Sequence, residues 1–477
     1  MCGIVGIASR HRIENREWLL RGRDALTHRG PDDAGLWWAP DARVGFGHRR
    51  LSIVDLSIAG HQPMLDISGD LCMVFNGEIY NFRELREELA AKGHIFRSQS
   101  DTEVVLNAYR EWGWQCVTHF NGMFAFSLYD ARKQIIFLAR DRAGEKPLFY
   151  HSANGTLRFA SELKALLADS TLPRRIEPES VDCYLGMGFV PGERCMLAEF
   201  NKLPPAHVAC FDLETGQLRK SCYWWPPAVN SVPREPVDGP DLVAQFEVLF
   251  EDAVRRQLVA DVPVGIMLSG GVDSSLVTAM AARASAKVKT FTIRFPGHGK
   301  LDETEHARLI SRYFGTEHIE LEAQPTTVDL LHRMARQFDE PVIDSSLIPT
   351  FLVSNLVHQY CSVALGGDGG DELFGGYSHY SRLLRAQSYL GWIPRPVRAR
   401  ASTMAEWMLP VGTKGRNWIQ GLNVDMQHGV PRIAWYFDAA TRLQLMKHRP
   451  DWPIVAETVL AGRVWPNGDL LQRATRL

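Results

Sequence analysis

The sequence has few cysteines, no excess of charge of either sign and no long apolar run. Eight cysteines are spread over 477 residues without a Cys-x-x-Cys pair, which argues against a disulfide scaffold and a zinc site. Lys and Arg total 53 against 55 Asp and Glu, so no basic excess points to nucleic acid or to a membrane surface. No segment approaches the roughly 20 apolar residues of a membrane span, and charges begin at Arg10, too early for a secretory signal. We therefore expect a cytoplasmic protein, with two or three domains from its length.

A proline-rich stretch separates two different patterns along the chain. We predict a connector at 216–240, because proline can neither continue a helix nor donate to a strand ladder. Before it, short apolar segments follow one another closely, as in an antiparallel α+β domain. After it, apolar strands alternate with helical segments, which predicts a parallel sheet with crossover helices. The predicted domains are therefore 2–215 and 241–477.

The individual elements follow from these patterns. The strands predicted in the first domain are Cys2–Ala8, Gly35–Trp38, Leu71–Asn76, Gly122–Tyr129, Gln134–Arg140 and Leu148–Ser152. Those predicted in the second are Val264–Leu268, Lys289–Phe295, His318–Leu321 and the buried Ser362–Leu365. The helices predicted there are Ser274–Arg283, Thr304–Phe314, Val328–Phe338 and Leu347–Gln359.

The start of the sequence offers a candidate nucleophile. Removal of Met1, which the small neighbouring side chains permit, would place the thiol and a free α-amine on the same residue, Cys2. The amine titrates near pH ~8 and the thiol near ~8.5, so the amine can take the thiol's proton near neutrality. This is the arrangement in which an amino-terminal amine serves as the general base of a nucleophile.

Two further segments of the first domain have either a chemical or a purely structural interpretation. Asn76-Gly77 could supply one amide and one unobstructed backbone N–H to an oxyanion, or could simply be a tight turn. Ser100 and Glu103 have the spacing of a capping box at a helix start. Arg50, taken alone, is as consistent with a surface ion pair as with a carboxylate clamp.

Taken together, the motifs of the first part resemble the class II, amino-terminal-nucleophile glutamine amidotransferase domain over roughly residues 2–210. The motifs, in chain order, are MCGIVG, RGPDD, RLSIVD, FNGEIYN, SDTE, NGMFAF and RDRAGEKPLFY. The resemblance implies an αββα sandwich in which Cys2 attacks the glutamine amide while Asn76 and Gly77 hold the oxyanion. It also implies that Arg50 binds the substrate carboxylate and that Glu78 and Asp101 bind its ammonium. The remaining glutamine-binding positions that it implies are Leu51, Ser52, Ile53 and Val54.

Two glycine-rich segments with acidic residues stand out in the second part. Ser269–Ser275, SGGVDSS, follows an apolar strand and precedes a helix, which suits an anion-binding nest backed by a helix amino terminus. An Asp in such a nest indicates Mg²⁺ on a polyphosphate. The GKS/GKT ending of a Walker A loop is missing, and a purely structural turn is the alternative interpretation. Gly366–Tyr377 has the sequence GGDGGDELFGGY, in which GDGGDELFGGY follows Gly366. This segment predicts a ligand-binding loop at the carboxyl edge of the sheet. Its acid spacing does not match a calcium loop.

SGGVDSS and GDGGDELFGGY resemble the synthetase domain of asparagine synthetase B and its relatives, adenylating enzymes with the pyrophosphatase-loop fold. The resemblance implies Mg²⁺ at Asp273 and Asp371, and a role for Asp368, where many relatives have Glu, in orienting the acid substrate or ammonia. The ATP-binding positions it implies are Leu268, Ser269, Gly270, Gly271, Asp273, Ser274, Ser275, Ile293, Gly366 and Gly367.

Two departures from that pattern bear on the substrate. Residues 339–346, DEPVIDSS, are expected on the substrate side, yet they lack the Arg that binds the aspartate carboxylate in well-studied relatives. The family segment D-x-L-x-K-x-D-R is absent before Leu477, so we expect a member shortened at its carboxyl terminus, with a weakened or inactive synthetase half.

The predicted function is glutamine-dependent amidation of a carboxylate, with ATP converted to AMP and pyrophosphate and ammonia passed from Cys2 to the adenylate site. Aspartate is the leading acceptor, and another acid such as a cell-envelope uronate stays open; β-lactam ring closure is disfavoured because it needs no ammonia. The rival from another class is a shortened glutaminase or binding protein. We expect small-molecule partners only (glutamine, ATP and the acid), no nucleic acid or membrane, and a homodimer as the candidate assembly.

Overall fold

A computed structural model describes residues 1–226, 239–285, 287–294, 302–323, 328–410, 413–421, 436–449 and 451–461. Residues 227–238, about half of the predicted connector 216–240, lie outside the described residues. So do Phe295, the predicted end of one strand, and the segment at 470–477 on which the expected shortening rests.

The first domain contains two antiparallel six-stranded sheets. The first sheet consists of β1 (Gly3–Ser9), β2 (Asp33–Trp38), β3 (Val44–Arg50), β8 (Phe149–Ala153), β9 (Thr156–Ala160) and β10 (Phe200–Lys202), in the order β10-β8-β9-β1-β3-β2. The second consists of β4 (Met64–Leu65), β5 (Leu71–Ile79), β6 (Gly122–Asp130), β7 (Ile135–Arg140), β11 (His207–Asp212) and β12 (Leu218–Cys222), in the order β12-β11-β7-β6-β5-β4. The helices are α1 (Glu17–Asp24), α2 (Phe82–Ala91), α3 (Asp101–Trp112), α4 (Cys116–His119), α5 (Leu163–Leu166) and α6 (Pro178–Met187).

The period-two pattern of the strands divides the apolar side chains between layers. On β5, Cys72 and Val74 pack between the two sheets, whereas Met73 and Phe75 point to the opposite face, under α2 and α3. The buried positions of α2 recur at helical spacing and face that layer. On the other sheet, α1 and α5 cover the outer face through a third apolar cluster. The expected αββα sandwich is therefore confirmed.

The second domain is built on a parallel sheet of four strands. These are β13 (Val264–Met267), β14 (Lys289–Arg294), β15 (Glu317–Glu322) and β16 (Val363–Leu365), in the order β15-β14-β13-β16. Its helices are α7 (Gly239–Gln257), α8 (Val272–Ala284), α9 (Thr304–Phe314), α10 (Val328–Gln337), α11 (Leu347–Val357), α12 (Gly370–Phe374), α13 (Ser378–Leu390), α14 (Arg395–Met408), α15 (Arg416–Gly421), α16 (Ala439–Leu445) and α17 (Ala456–Ala461). Among the described helices, none is both long enough and apolar enough to cross a bilayer.

The predicted parallel sheet is confirmed, with one correction at β16. All of the predicted strands and helices are found with small shifts at their ends, and α9 has the predicted bounds. The strand at Val363–Leu365 was predicted to be buried, but its three residues are half-buried. In the part of the chain that the structure describes, it is an edge strand that pairs with β13. An apolar run therefore marked the strand correctly without showing whether both of its sides are covered.

A buried ion pair joins the two domains. Asp182 on α6 and Arg442 on α16 are both 0% exposed, and Arg442 Nε donates to Asp182 Oδ1 at 2.7 Å. The second carboxylate oxygen of Asp182 accepts the backbone N–H groups of Val455 and Ala456, each at 2.7 Å. Every oxygen of this buried carboxylate is thus bonded to the other domain, as a buried charge requires.

Candidate active site

Cys2 lies immediately before β1, at the edge of the sandwich. Its Sγ is 3.4 Å from the Leu51 backbone nitrogen, which donates to it, and 3.6 Å from the Leu51 carbonyl oxygen. Burial raises the pKa of the Cys2 thiol. Burial, with the nearby charges of Arg29 and Lys146, lowers the pKa of the Met1 amine to about 6. The surroundings of the amino terminus therefore favour a neutral amine, which is the form that can accept a proton.

Two cations surround the first residues. Arg29 Nε donates to the Cys2 carbonyl at 2.8 Å, and the Met1 sulfur lies 3.3 Å from Lys146 Nζ and 3.8 Å from Arg29 Nη2. Burial lowers the pKa of the Lys146 ammonium. The motifs RGPDD and RDRAGEKPLFY contain or adjoin these two residues, but sequence reasoning assigned neither a role. Their position beside Cys2 depends on contacts between segments far apart in the chain.

Asn76 is a buried amide without a hydrogen-bond partner. It is 1% exposed, and neither its Nδ2 nor its Oδ1 has a partner among the described residues. Leaving such a group unpaired costs about 1–3 kcal/mol, so native proteins rarely do so without a functional reason. The tight-turn alternative is wrong, because Asn76 and Gly77 lie within β5, opposite Ala125 and Phe124.

Gly77 has no room for a side chain. A Cβ at this position would lie 2.3 Å from the Met123 carbonyl oxygen and 2.7 Å from the Phe124 Cα. The strand can therefore approach β6 closely here only because residue 77 is glycine. This close approach fixes the backbone directly after the unpaired amide of Asn76.

Two acids, the half-buried Glu78 and the buried Asp101, lie close enough to affect each other's charge. Asp101 begins α3 and accepts the Ile79 N–H at 3.0 Å, and burial raises its pKa to about 6. Burial and the nearby charge of Asp101 raise the pKa of Glu78 well above its usual value, an effect that Lys146 partly opposes. Glu78 is also close enough to influence the pKa of both the Met1 amine and the Cys2 thiol. A substrate ammonium at this place would relieve the repulsion between the two acids.

Arg50 ends β3 and is buried against the loop that follows it. Its Nη1 donates to the Ser57 carbonyl at 3.1 Å, and its Nη2 donates to the carbonyls of Val54 and Asp55. These bonds shape the segment that contains the other predicted glutamine-binding residues, Leu51–Val54. The same loop reaches the second domain, because Asp261 accepts the Asp55 N–H at 2.7 Å and donates its own N–H to the Ile53 carbonyl. Arg50 thus has a structural role beside the one predicted from the resemblance.

The start of α3 differs from the predicted capping box. Ser100 is the N-cap and accepts the Thr102 N–H, as expected. Glu103 does not return to the Ser100 N–H; its carboxylate accepts the N–H groups of Arg97 and Ser98 instead. The Glu103 carboxylate is therefore hydrogen-bonded to the preceding loop. The Ser100 N–H donates to Ser98 Oγ instead.

The loop after β13 is a tight glycine-containing turn that leads into the amino terminus of α8. Residues 269–271 connect β13 to α8, and Gly270 has φ +85°, a region that favours glycine. A Cβ on Gly270 would also lie 2.7 Å from the His306 Cβ. The hydroxyl oxygens of Ser269 and Ser274 are 2.9 Å apart, and Ser269 Oγ accepts the Gly271 N–H. The remaining predicted positions lie nearby: Leu268 and Ser275 flank the loop, and Ile293 is on the adjacent strand β14.

The structure brings the two acidic segments together. A Cβ on Gly367 would lie 2.8 Å from the Ser274 backbone nitrogen, and one on Gly370 would lie 2.6 Å from Asp273 Cγ. The next residue is Asp371, whose Oδ1 lies against Gly376: a Cβ on Gly376 would be 1.9 Å from it. Asp368 is exposed, with Oδ2 only 2.8 Å from where a Cβ on Gly366 would lie.

Two predicted substrate-side residues have other partners. Asp339 accepts the Lys164 N–H at 2.9 Å, and Glu340 accepts from Lys202 Nζ at 2.7 Å. Both lysines belong to the first domain, so these carboxylates face the domain interface. The expectation that they lie on the substrate side stays a prediction, because these contacts do not test it. The sequence could not show the lysine contacts, because the lysines lie more than a hundred residues earlier.

Comparisons with known proteins match the two parts of the chain to two different families. Residues 1–224 match the glutamine amidotransferase domain family, and residues 245–448 match the asparagine synthase family. A relative named putative asparagine synthetase [glutamine-hydrolyzing] 2, from Methanocaldococcus jannaschii, is 37% identical over 79% of this chain and 76% of its own. Asparagine synthetase [glutamine-hydrolyzing] 1 of Bacillus subtilis is 33% identical over 94% of this chain and 70% of its own. A putative asparagine synthetase [glutamine-hydrolyzing] of Mycobacterium bovis is 31% identical over 100% and 78%.

Proposed function

The chain belongs to the family of glutamine-hydrolysing asparagine synthetases, and from that premise we propose that it converts aspartate to asparagine with ammonia taken from glutamine. It is a glutamine-dependent amidotransferase of the asparagine synthetase type, a carbon–nitrogen ligase whose family uses ATP. The finer steps proposed are formation of AMP and pyrophosphate and transfer of ammonia between the two sites. The single observation that carries the proposal is the buried, unpaired amide of Asn76 beside the tightly packed Gly77.

In the proposed glutaminase step, Cys2 attacks the side-chain amide of glutamine. After removal of Met1, the α-amine of Cys2 takes the proton of the thiol, in surroundings that lower the pKa of an amine. Asn76 Nδ2 and the Gly77 N–H donate to the oxyanion. The oxyanion thereby supplies the acceptor that Asn76 Nδ2 lacks among the described residues of the free protein.

The same proposal assigns the rest of the glutamine to the acids and to Arg50. The substrate ammonium lies between Glu78 and Asp101, where it relieves the repulsion between them. The substrate carboxylate meets Arg50, whose observed bonds use three of the five N–H donors of a guanidinium. Leu51–Val54 form the adjoining wall.

In the proposed synthetase step, the loop at 269–275 cradles the phosphates of ATP. Backbone N–H groups and the amino terminus of α8 supply positive potential for the pyrophosphate. The aspartate β-carboxylate attacks the α-phosphorus, pyrophosphate leaves, and ammonia then displaces AMP from the acyl-adenylate. Activation is needed because a carboxylate resists attack by ammonia, and forming a covalent intermediate divides one difficult step into two easier ones. The proposal assigns to the exposed Asp368 the role of orienting the acid or the incoming ammonia.

Asp273 and Asp371 fit a magnesium ion that accompanies ATP. Mg²⁺ is commonly held by one or two carboxylates together with substrate phosphates. Asp273 follows the loop at 269–271, and the segment that contains Asp371 packs against Asp273 through Gly370. Within the described ranges, no group of three or more His, Cys, Asp or Glu side chains would hold a metal alone, so phosphate oxygens would complete the shell. When bound, the ion would neutralise charge that develops on the phosphates.

A different acceptor acid is the second candidate. Asp339 and Glu340 are engaged with lysines of the first domain, and residues 339–346 contain no Arg. Recognition of an acid such as a cell-envelope uronate would leave the chemistry of both sites unchanged. A glutaminase with an inactive synthetase half is the remaining rival. The cytoplasmic location and the homodimer expected from the sequence stay predictions.

One incubation separates these functions. The purified chain, freed of Met1, is supplied with glutamine, ATP, Mg²⁺ and aspartate, and glutamate, AMP, pyrophosphate and asparagine are quantified. Equal formation of all four supports the proposal, and glutamate alone supports the glutaminase. Pyrophosphate formed with a uronate but not with aspartate would assign the other acceptor. Retention of Met1 in fully active protein, detected by mass spectrometry, would contradict the role of Cys2.

A further inference from the structure

A series of charged side chains leads from Cys2 towards the second domain. Arg29 Nε donates to the Cys2 carbonyl at 2.8 Å, and its Nη1 donates to Glu162 Oε1 at 2.8 Å. Lys164 Nζ donates to the other oxygen, Glu162 Oε2, also at 2.8 Å. Each link has at least one ionised partner, which makes such hydrogen bonds shorter and stronger than neutral ones.

Lys164 extends this series to the second domain. Its Nζ donates to the Gln337 carbonyl at 2.9 Å and lies 3.4 Å from Asp339 Oδ1. Its backbone N–H donates to Asp339 Oδ2 at 2.9 Å. Gln337 is the last residue of α10, and Asp339 begins the segment 339–346 that leads into α11. A displacement of that segment therefore acts directly on Lys164.

Glu162 is the centre of the series. It is 8% exposed, and its carboxylate has a third partner besides Arg29 and Lys164. This partner is His28, whose Nε2 is 3.0 Å from Glu162 Oε2. Although burial alone would raise its pKa, the bonds from His28, Lys164 and Arg29 hold the pKa of Glu162 at about 2. The carboxylate thus stays ionised throughout the working range. Removing one partner of a buried, bonded charge leaves the others uncompensated, so these side chains act as a unit.

We propose that Glu162 and Lys164 are positioning residues that couple ligand binding in the synthetase domain to the reactivity of Cys2. The proposal rests on the function proposed above. In this proposal, ligands bound in the synthetase domain fix the segment that begins at Asp339, and the fixed segment holds Lys164 against Glu162. Glu162 then holds Arg29 on the Cys2 carbonyl, next to the sulfur that attacks glutamine. The protein thereby releases ammonia when the second site can use it.

A neighbouring ion pair provides a matched control. Lys202 Nζ donates to Glu340 Oε2 at 2.7 Å, and Glu340 Oε1 accepts the Met196 N–H at 2.6 Å. This pair also joins a lysine of the first domain to an acid of the second, and the acids are consecutive in sequence. The other bond of Lys202, to the Val190 carbonyl, leads away from Cys2.

The test compares Lys164→Met and Asp339→Asn with Lys202→Met and Glu340→Gln in the full chain. Glutamate release from glutamine is measured with and without ATP, Mg²⁺ and aspartate, together with Tm and ammonia-dependent synthesis. In the wild type, the three ligands should raise kcat/KM for glutamine at least about fivefold, the lower range of coupling between sites. The Lys164 and Asp339 variants should lose this response with synthesis from ammonia retained. The Lys202 and Glu340 variants should keep it, and Lys164→Arg should restore it.

Three results would overturn the proposal: an unchanged response in Lys164→Met, an equal loss in both pairs of variants, or a wild-type glutaminase indifferent to the ligands. If Lys164→Met does not fold, Asp339→Asn against Glu340→Gln decides the same question. A response to ATP and Mg²⁺ in a protein that forms no asparagine would support the coupling and contradict the assignment of aspartate. The two proposals therefore fail separately.

Discussion

The two candidate sites of this protein are built in opposite ways. The glutamine site consists of side chains from four distant segments, held in a sandwich with three large apolar clusters. The candidate nucleotide site consists mainly of backbone at the ends of strands, and the described residues of its domain form two small clusters and a half-buried edge strand. The first site is thus preorganised by packing, whereas the second depends on loops that ligands can complete. Substitutions that separate the two activities test this difference.

The largest separation is expected from Cys2→Ala. Loss of the nucleophile should lower glutamate formation by at least about 10³-fold, because no other group in the site replaces it. Amide formation from ammonium chloride should continue at the wild-type rate, measured as the rates at which asparagine and pyrophosphate are formed. A parallel loss of both activities would show that the sites are not independent.

A smaller loss in the same site is expected from Asn76→Ala. Removing one oxyanion donor typically costs about 10²–10³ in kcat, with little change in KM, since the interaction is made in the transition state. Asn81→Ala is the control: its amide donates to the His119 carbonyl and accepts the Asn121 N–H at the surface. Steady-state kinetics with glutamine measure both variants. An increase in KM with kcat unchanged would assign Asn76 to substrate binding instead.

Asp273→Asn should act on the second site alone. We expect pyrophosphate release to fall roughly 10²-fold, because the neutral amide is a poorer ligand for a cation that accompanies ATP. Glutaminase activity measured without ATP should be unchanged. Removal of Mg²⁺ with a chelator should reproduce the effect in the wild type. Pyrophosphate release at the wild-type rate in the variant would exclude Asp273 from this role.

The smallest expected effect is on stability in acid, and it arises in the sandwich. His48 is buried on β3, its Nε2 donates to the Phe75 carbonyl at 3.0 Å, and burial lowers its pKa to about 4. Between pH 6.5 and 4 the unfolded chain binds a proton that the folded protein does not, so stability falls as pH falls through this window. The loss at pH 5 amounts to about 2 kcal/mol.

Denaturant unfolding at pH 7 and pH 5 measures this difference. His48→Gln keeps a donor for the Phe75 carbonyl but cannot titrate, so its free energy of unfolding should change less between the two values. An equal loss in the variant would assign the acid sensitivity to other groups.

Sequence reasoning could propose roles for site residues wherever those residues are neighbours in the chain, as Asn76-Gly77 and Asp273-Ser274 are. The continuous apolar run Leu71–Phe75 sufficed to predict the strand β5. The resemblance to known families supplied the αββα arrangement, and the structure confirms it.

What escaped prediction depends on contacts between distant segments. Arg29 and Lys146 lie beside Cys2 only because separate loops converge there, and Asp339 finds a partner 175 residues earlier. Similarly, the burial of β16 depends on which elements lie beside it, and a short apolar run carries no information about its neighbours. The partner of Glu103 was also missed, because capping-box spacing does not show whether a preceding loop competes for the carboxylate.

The hydrogen bonds of Asp182 bear on whether the two domains stay associated after the chain between them is cut. Arg442, Val455 and Ala456 all bond to its carboxylate, so a protease cut between residues 226 and 239 would not by itself release the fragments. Removing one partner of such a pair, as in Asp182→Ala, costs about 3–5 kcal/mol, because the other charge is left buried and uncompensated. In co-expressed halves this substitution should therefore weaken reassociation, which would identify Asp182 as a recognition point between them.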